Sequence, residues 1–216
     1  RVKDDDGTWS DSETEILNIG EDESNNPVAH WSFDEGEGTI AYDSSGNNNN
    51  GTLENGLVWV DGISGSALEF DGTDDYVSIS HNSVFNISSG TIIAYVKFDD
   101  ITDNRYQRII SKKENWNDAA GYELEVNPVA NTITFLAGGS ELARGSFTSS
   151  VNWIQIVVTF SGTTATIYLN GSDITTDSSI GAVVDNSLPI KYTACVHIIC
   201  SINPIKFLFI YFSRFQ

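Results

Sequence analysis

Three groups of residues in this sequence have the types and spacing to do chemistry: acidic loops rich in oxygen, a glutamate pair, and aromatics in polar loops. The loop DSSGNNNNG (43–51) combines a carboxylate, hydroxyls, amides and flexible carbonyls, the hard-oxygen set that Ca²⁺ prefers. Its spacing is not that of an EF-hand, and Asp43 could equally bond its own backbone in an Asx-turn. DGTDD (71–75) is also rich in carboxylates and reads as a hairpin turn with Gly72 at positive φ. Glu123 and Glu125 point to the same side of one strand, where two-carboxylate glycosidase chemistry would begin, but they read as a solvated strand face without a partner.

Sugar binding requires an exposed ring beside hydrogen-bonding groups, because the ring stacks on sugar C–H surfaces. Trp116, in the polar loop KKENWNDAAG (112–121), meets this requirement best, with Tyr106 and Trp59 behind it. Trp31 and Trp153 lie within strand patterns and are assigned to the core. His30, His81 and His197 show no metal spacing, and Cys195-x4-Cys200 is not a zinc pattern, although it could form a disulfide in a secreted chain. Sequons stand at Asn50, Asn86 and Asn170; Asn50 and Asn170 also lie in turns.

The elements that position these residues are strands. Apolar residues recur with period two at Ile92, Ala94, Val96 and Phe98, at Tyr122, Leu124 and Val126, and at Ile154, Ile156, Val158 and Phe160. Ala165, Ile167 and Leu169 run into Asn170-Gly171, a tight-turn signal. No long helical period occurs, so the expected class is all-β, an antiparallel sandwich with one buried face per sheet. The net charge of −19, from 30 acidic and 11 basic residues, disfavours nucleic-acid phosphates and suits Ca²⁺ or simple solubility. Ile198–Phe212 is too short and too broken by Asn203, Pro204 and Lys206 to span a membrane as a helix, so no membrane insertion is expected.

The stretch VAHWSFDEGEGTIAYDSSGNNNNGTLENGLVWVDGISGSALEFDGTDDYVSI (28–79) resembles the opening half of laminin-G-like, concanavalin A-like jelly-roll domains. GTIIAYVKF (90–98), RIISKK (108–113), GYELEV (121–126) and NWIQIVVTFSGTTATIYLNG (152–171) follow in family order. Tyr95 stands where the family usually has Trp, and Ile154-Gln155 replace a histidine pair. The resemblance implies a jelly-roll β-sandwich over residues 27–190 and a structural Ca²⁺ on Asp43 with loop oxygens around Asn47 and Asn49, helped by Asp34 and Glu35 from the adjacent turn. It also implies a glycan or a cell-surface protein as partner, in an extracellular or surface setting. Jelly-roll glucanases share the architecture, but their E-x-D-x-x-E strand would place its third acid at Pro128.

Residues 1–10 resemble the closing hairpin of a fibronectin type III module, and 11–26 read as an acidic linker, so the chain reads as an excerpt of a longer protein. Residues 191–216 break the pattern: all 30 acidic residues lie at or before Asp185, while three of the 11 basic ones follow it. The family's glycine-rich turn and closing strand are missing, leaving the fold incomplete at its C-terminal end. Two readings stand, foreign sequence such as a frameshift, or a closing strand supplied by Ile205–Phe212. The functional expectation is a non-catalytic extracellular binding or adhesion module. A spacer without ligand is the alternative, and a glycosidase is the third reading.

Overall fold

The computed structural model describes residues 27–98, 101–102, 104–139 and 142–193, with the strands Val2–Lys3, Trp9–Ser10, Ile198–Ser201 and Phe209–Tyr211. β1 (Val2–Lys3) and β2 (Trp9–Ser10) pair as an antiparallel ribbon of their own. The expected linker at 11–26 lies outside the described residues. The sandwich begins with β3 (Ala29–His30), β4 (Ile40–Ala41), β5 (Gly51–Glu54), β6 (Val58–Asp61), β7 (Ser66–Phe70) and β8 (Tyr76–Ile79). After a 3-10 turn at Ser83–Phe85 come β9 (Ser89–Phe98), β10 (Gln107–Ser111), β11 (Tyr122–Asn127), β12 (Thr132–Ala137) and β13 (Leu142–Ser146). Then follow β14 (Ile154–Ser161), β15 (Thr164–Leu169), β16 (Ser172–Asp173), β17 (Thr175–Asp177), β18 (Ile190–Thr193), β19 (Ile198–Ser201) and β20 (Phe209–Tyr211).

The front sheet runs β17-β13-β12-β11-β10-β18-β8-β5-β4 and the back sheet β16-β15-β14-β9-β19-β7-β6, with β20 bridging β9 to β3. Every pairing among the described strands is antiparallel. Successive strands change sheet at β5–β6, β7–β8, β8–β9 and β9–β10, as a jelly roll requires. DGTDD therefore joins strands of different sheets. It is a corner of the sandwich and not a hairpin turn, although Gly72 does take positive φ (74°).

The period of two becomes burial. β9 buries every second residue, including Ile92, Ala94, Val96 and Phe98, and β14 buries Ile154, Ile156, Val158 and Phe160 against it. Between the sheets Tyr122, Phe135 and Phe160 form an aromatic cluster, with Phe135 and Phe160 centroids 5.0 Å apart. Trp31 is fully buried as expected; Trp153 is only partly so. β11 departs from alternation, because all six of its residues are buried. Its inward set is Tyr122, Leu124 and Val126, and its opposite face carries Glu123, Glu125 and Asn127.

The expected boundary at 190 falls on the first residue of β18, which lies between β8 and β10 in the front sheet. β19 lies between β7 and β9 in the back sheet, pairing Ile198 with both Phe70 and Phe98. β20, inside the segment read as an alternative closing strand, pairs Ile210 with Ile92 and Phe209 with His30.

Candidate functional site

Residues paired directly across antiparallel strands point to the same side of a sheet. On the front sheet this places Arg108, Glu125, Thr134, Arg144 and Asp177 in one row across five strands. At about 4.8 Å per strand the row is roughly 19 Å long. The neighbouring row carries Ser111, Glu123, Leu136 and Leu142, with Lys191 on β18 opposite Ser111. A bulge between Arg108 and Ile110 brings the two rows together.

Glu123 and Glu125 do not form the solvated face that their sequence spacing suggested: they are 1% and 7% exposed. Burial on this side follows from long neighbours laid over them. The Nε of Arg108 lies 3.0 Å from Oε2 of Glu123, and the Ser111 hydroxyl donates to the same oxygen at 2.6 Å. Desolvation, repulsion from Glu123 and a hydrogen bond to Glu123 push the Glu125 carboxyl up to about 7, against the opposing pull of Arg108 and Arg144. Glu125 therefore keeps its proton to a higher pH than an ordinary glutamate.

The rows end at a corner stitched by two buried lysines. Lys112, 1% exposed, donates from Nζ to the backbone carbonyl and the side-chain carbonyl of Asn186, both at 2.6 Å, and Asn186 Nδ2 donates back to the Lys112 carbonyl. Lys113 Nζ donates to the carbonyls of Asp118, Trp116 and Gly139. Burial lowers both ammonium pKa values, offset by Asp185 for Lys112 and by Glu123 and Asp118 for Lys113. The corner admits no side chain at Gly121, where an added Cβ would lie 2.0 Å from the Lys112 carbonyl. Asp118 ties the loop start by accepting from the amides of Asn115 and Glu114. The Trp116 side chain is 54% exposed on this anchored loop.

The remaining aromatic candidates divide. Tyr106, 47% exposed, precedes β10, so it and Trp116 flank the same strand at opposite ends. Trp59 lies on β6 of the back sheet, packs partly against the core and donates to the Gly38 carbonyl at 2.9 Å. The structure brings Tyr106 and Trp116 to one sheet and leaves Trp59 on the other.

The loop at 43–51 completes itself. Asp43 Oδ1 accepts from the amides of His30 and Ser45, and Oδ2 from that of Asn49, all at 2.9 Å. Burial would raise its pKa; the hydrogen bonds from Ser45, His30 and Asn49 outweigh that and hold it below the ordinary value. Asn47 Nδ2 donates to the carbonyls of Pro27 and Val28, Asn49 Oδ1 accepts from Asn82, and the Asn49 carbonyl accepts from the Trp31 indole. Asp34 lies elsewhere, against Gly65 of the β6–β7 turn. Of about four lone-pair sites on the Asp43 carboxylate, three are filled by amides, so this loop does not fit a calcium ion.

Arg108, Ser111, Lys112, Lys113 and Arg144 escaped sequence reasoning. The available signal was RIISKK, in which two adjacent lysines at a strand end cannot both point to solvent if the strand continues the alternation.

Residues 71–192 match the family model described as the concanavalin A-like lectin/glucanases superfamily. Similar solved structures include the binding domain of Paraclostridial Mosquitocidal Protein 1, with TM-score 0.70 and 20% identity over 88% of this chain and 50% of that one. Domain 4 of AbnA, an extracellular arabinanase from Geobacillus stearothermophilus solved with arabinotriose, gives TM-score 0.61 and 15% identity over 82% and 93%. A botulinum neurotoxin type C structure, whose description ties cell entry to two ganglioside molecules, gives 0.61 and 17% over 81% and 46%. This chain spans about half the length of the toxin chains, and at these identities the likeness is one of fold. No curated protein sequence matches the chain.

Proposed function

The chain belongs to the concanavalin A-like lectin/glucanase superfamily, and from that premise we propose that it is a non-catalytic, extracellular glycan-binding module. The observation that carries this reading is the exposed Trp116 side chain, on a loop after β10 whose backbone carbonyls at Trp116 and Asp118 accept from the buried ammonium of Lys113. A loop whose backbone is already tied down loses less entropy when a sugar stacks on its exposed ring. The partly exposed Arg108 and Arg144 supply donors on the front sheet for ring hydroxyls, and the exposed Tyr106 offers a second platform at the other end of β10. The similar structures agree in kind: arabinotriose on the arabinanase domain and gangliosides for the neurotoxin both present carbohydrate. Against catalysis stands the burial of Glu123 and Glu125, 1% and 7% exposed, which keeps both carboxyls from flanking a glycosidic bond.

The test is a titration of the chain with arabino-oligosaccharides and ganglioside oligosaccharides, followed by Trp116 fluorescence and calorimetry. Binding that weakens about tenfold or more in Trp116→Ala supports the site, a loss of about 1.4 kcal/mol. Binding unaffected by Trp116→Ala moves the site elsewhere, and no binding to any glycan favours a spacer.

A further inference from the structure

We propose that the corner Asp71, Asp74 and Asp75 is a calcium site that clamps the two sheets together, independent of any glycan site. Carboxylate oxygens of the three residues lie within 4.8 Å of one another. Ca²⁺ binds oxygens at about 2.3–2.6 Å, so oxygens on opposite sides of one ion stand about 4.6–5.2 Å apart. An upper bound of 4.8 Å lets the three oxygens share one ion.

Lone-pair accounting separates this loop from the one at 43–51. Asp75 is 4% exposed; its Oδ2 accepts from the Asp71 amide at 3.0 Å, but its buried Oδ1 has no donor among the described residues. A buried carboxylate oxygen without a partner forfeits its hydration and demands a cation or a proton. Asp71 Oδ1 accepts from the Thr73 amide at 2.8 Å, and no described donor reaches the Asp74 carboxylate. Three carboxylates thus carry two donors, where Asp43 alone carries three. Burial raises the Asp75 pKa, opposed by the Asp71 amide and reinforced by repulsion from Asp71 and Asp74. A divalent ion relieves both contributions.

The place in the fold gives the ion its role. The corner joins β7 of the back sheet to β8 of the front sheet. Two other crossings are tied to it: Asn55, between β5 and β6, donates to the Asp74 carbonyl at 2.8 Å, and Arg105, between β9 and β10, donates to the Gly72 carbonyl at 3.4 Å. One ion would therefore brace three passages between the sheets. Calcium is preferred over magnesium because this set is irregular and carboxylate-rich, whereas Mg²⁺ demands a near-ideal octahedron and keeps its water.

The experiment is calorimetric titration of the EDTA-treated full chain with CaCl₂, paired with thermal melts. The expected result is binding with Kd on the order of 10⁻⁴–10⁻³ M, as in extracellular modules, and a melting temperature that rises with calcium. Asp74→Asn, an exposed substitution, is expected to weaken calcium at least tenfold and to leave the calcium-free melting temperature equal or higher, since it removes a repelling charge. Asp43→Asn is expected to keep the calcium affinity. Absence of heat and of any melting shift up to about 10 mM CaCl₂ overturns the proposal, ten times the weak end of that range. So does an Asp74→Asn protein that binds like the parent, or calcium binding lost in Asp43→Asn but not in Asp74→Asn.

Discussion

The guanidinium of Arg108 and the carboxylate of Glu123 meet at 3.0 Å on a sheet face where Glu123 is 1% exposed and Arg108 36%. One partner reaches water and the other does not, so the pair is a lid over a buried charge. Removing the lid leaves the buried Glu123 carboxyl beside Glu125 with only the Ser111 hydroxyl to satisfy it.

Arg108→Met is therefore expected to destabilise the fold by about 2 kcal/mol, below the full penalty for a buried pair because Arg108 is partly solvated. Urea unfolding measures it. In the double variant Arg108→Met, Glu123→Gln most of the loss should return, and a double variant as unstable as the single one would show that Arg108 acts by packing alone.

Glu125 predicts a pH dependence of definite sign. Its folded pKa, about 7, lies above the unfolded value near 4.5, so the native state holds more protons between them. The stabilisation from this group is complete below about pH 4.5 and disappears as pH rises through about 7, a span worth on the order of 3 kcal/mol. Parent-minus-variant stability for Glu125→Gln should fall across that window; a flat difference would mean the carboxyl is already ionised at pH 5.

Lys113 fixes the loop that carries Trp116. Lys113→Met leaves the carbonyls of Trp116, Asp118 and Gly139 without their shared donor. Amide hydrogen exchange over 114–121 should accelerate at least tenfold while the β9 and β14 amides stay protected. Unchanged exchange would remove Lys113 from any role in positioning Trp116.

The Asp43 loop behaves in the opposite pH sense from Glu125. Its depressed folded pKa makes it stabilising above the unfolded value near 3.8, and that contribution is lost as pH falls through the folded value. Asp43→Ala should cost about 2 kcal/mol at neutral pH by stranding three amides, and the difference should shrink in acid. Chemical denaturation at pH 7 and pH 3 reads both.

Ending the chain at Pro189 should expose the facing edges of β8 and β10 and of β7 and β9. Aggregation and loss of a cooperative melt are expected. A monomeric, cooperatively melting product would show that the sheets close without β18, β19 and β20.

Period-two alternation was enough to place the inward faces of β9 and β14 and the burial of Trp31, because each reflects one residue type at one register. Glu123 and Glu125 were misread for the same reason. Alternation assigns a side of the sheet, and whether that side is dry depends on Arg108 and on loops distant in sequence. DGTDD resembled a hairpin because its residues describe only the turn. Which sheets β7 and β8 enter is decided by pairings with β19, β6, β18 and β5. Similarly, Asp43 looked like a metal ligand until the amides of His30 and Asn49 were found on its oxygens.

The position of β18 and β19 has a bearing on how the protein is made. Strands synthesised after residue 189 lie in the interior of both sheets, flanked by strands that left the ribosome roughly 80 to 130 residues earlier. Until they arrive, β7, β8, β9 and β10 present unpaired edges, which are the surfaces most exposed to pairing with another chain. Closure of both sheets therefore waits on non-local pairings made by the last strands of the chain, the kind of contact that forms slowly.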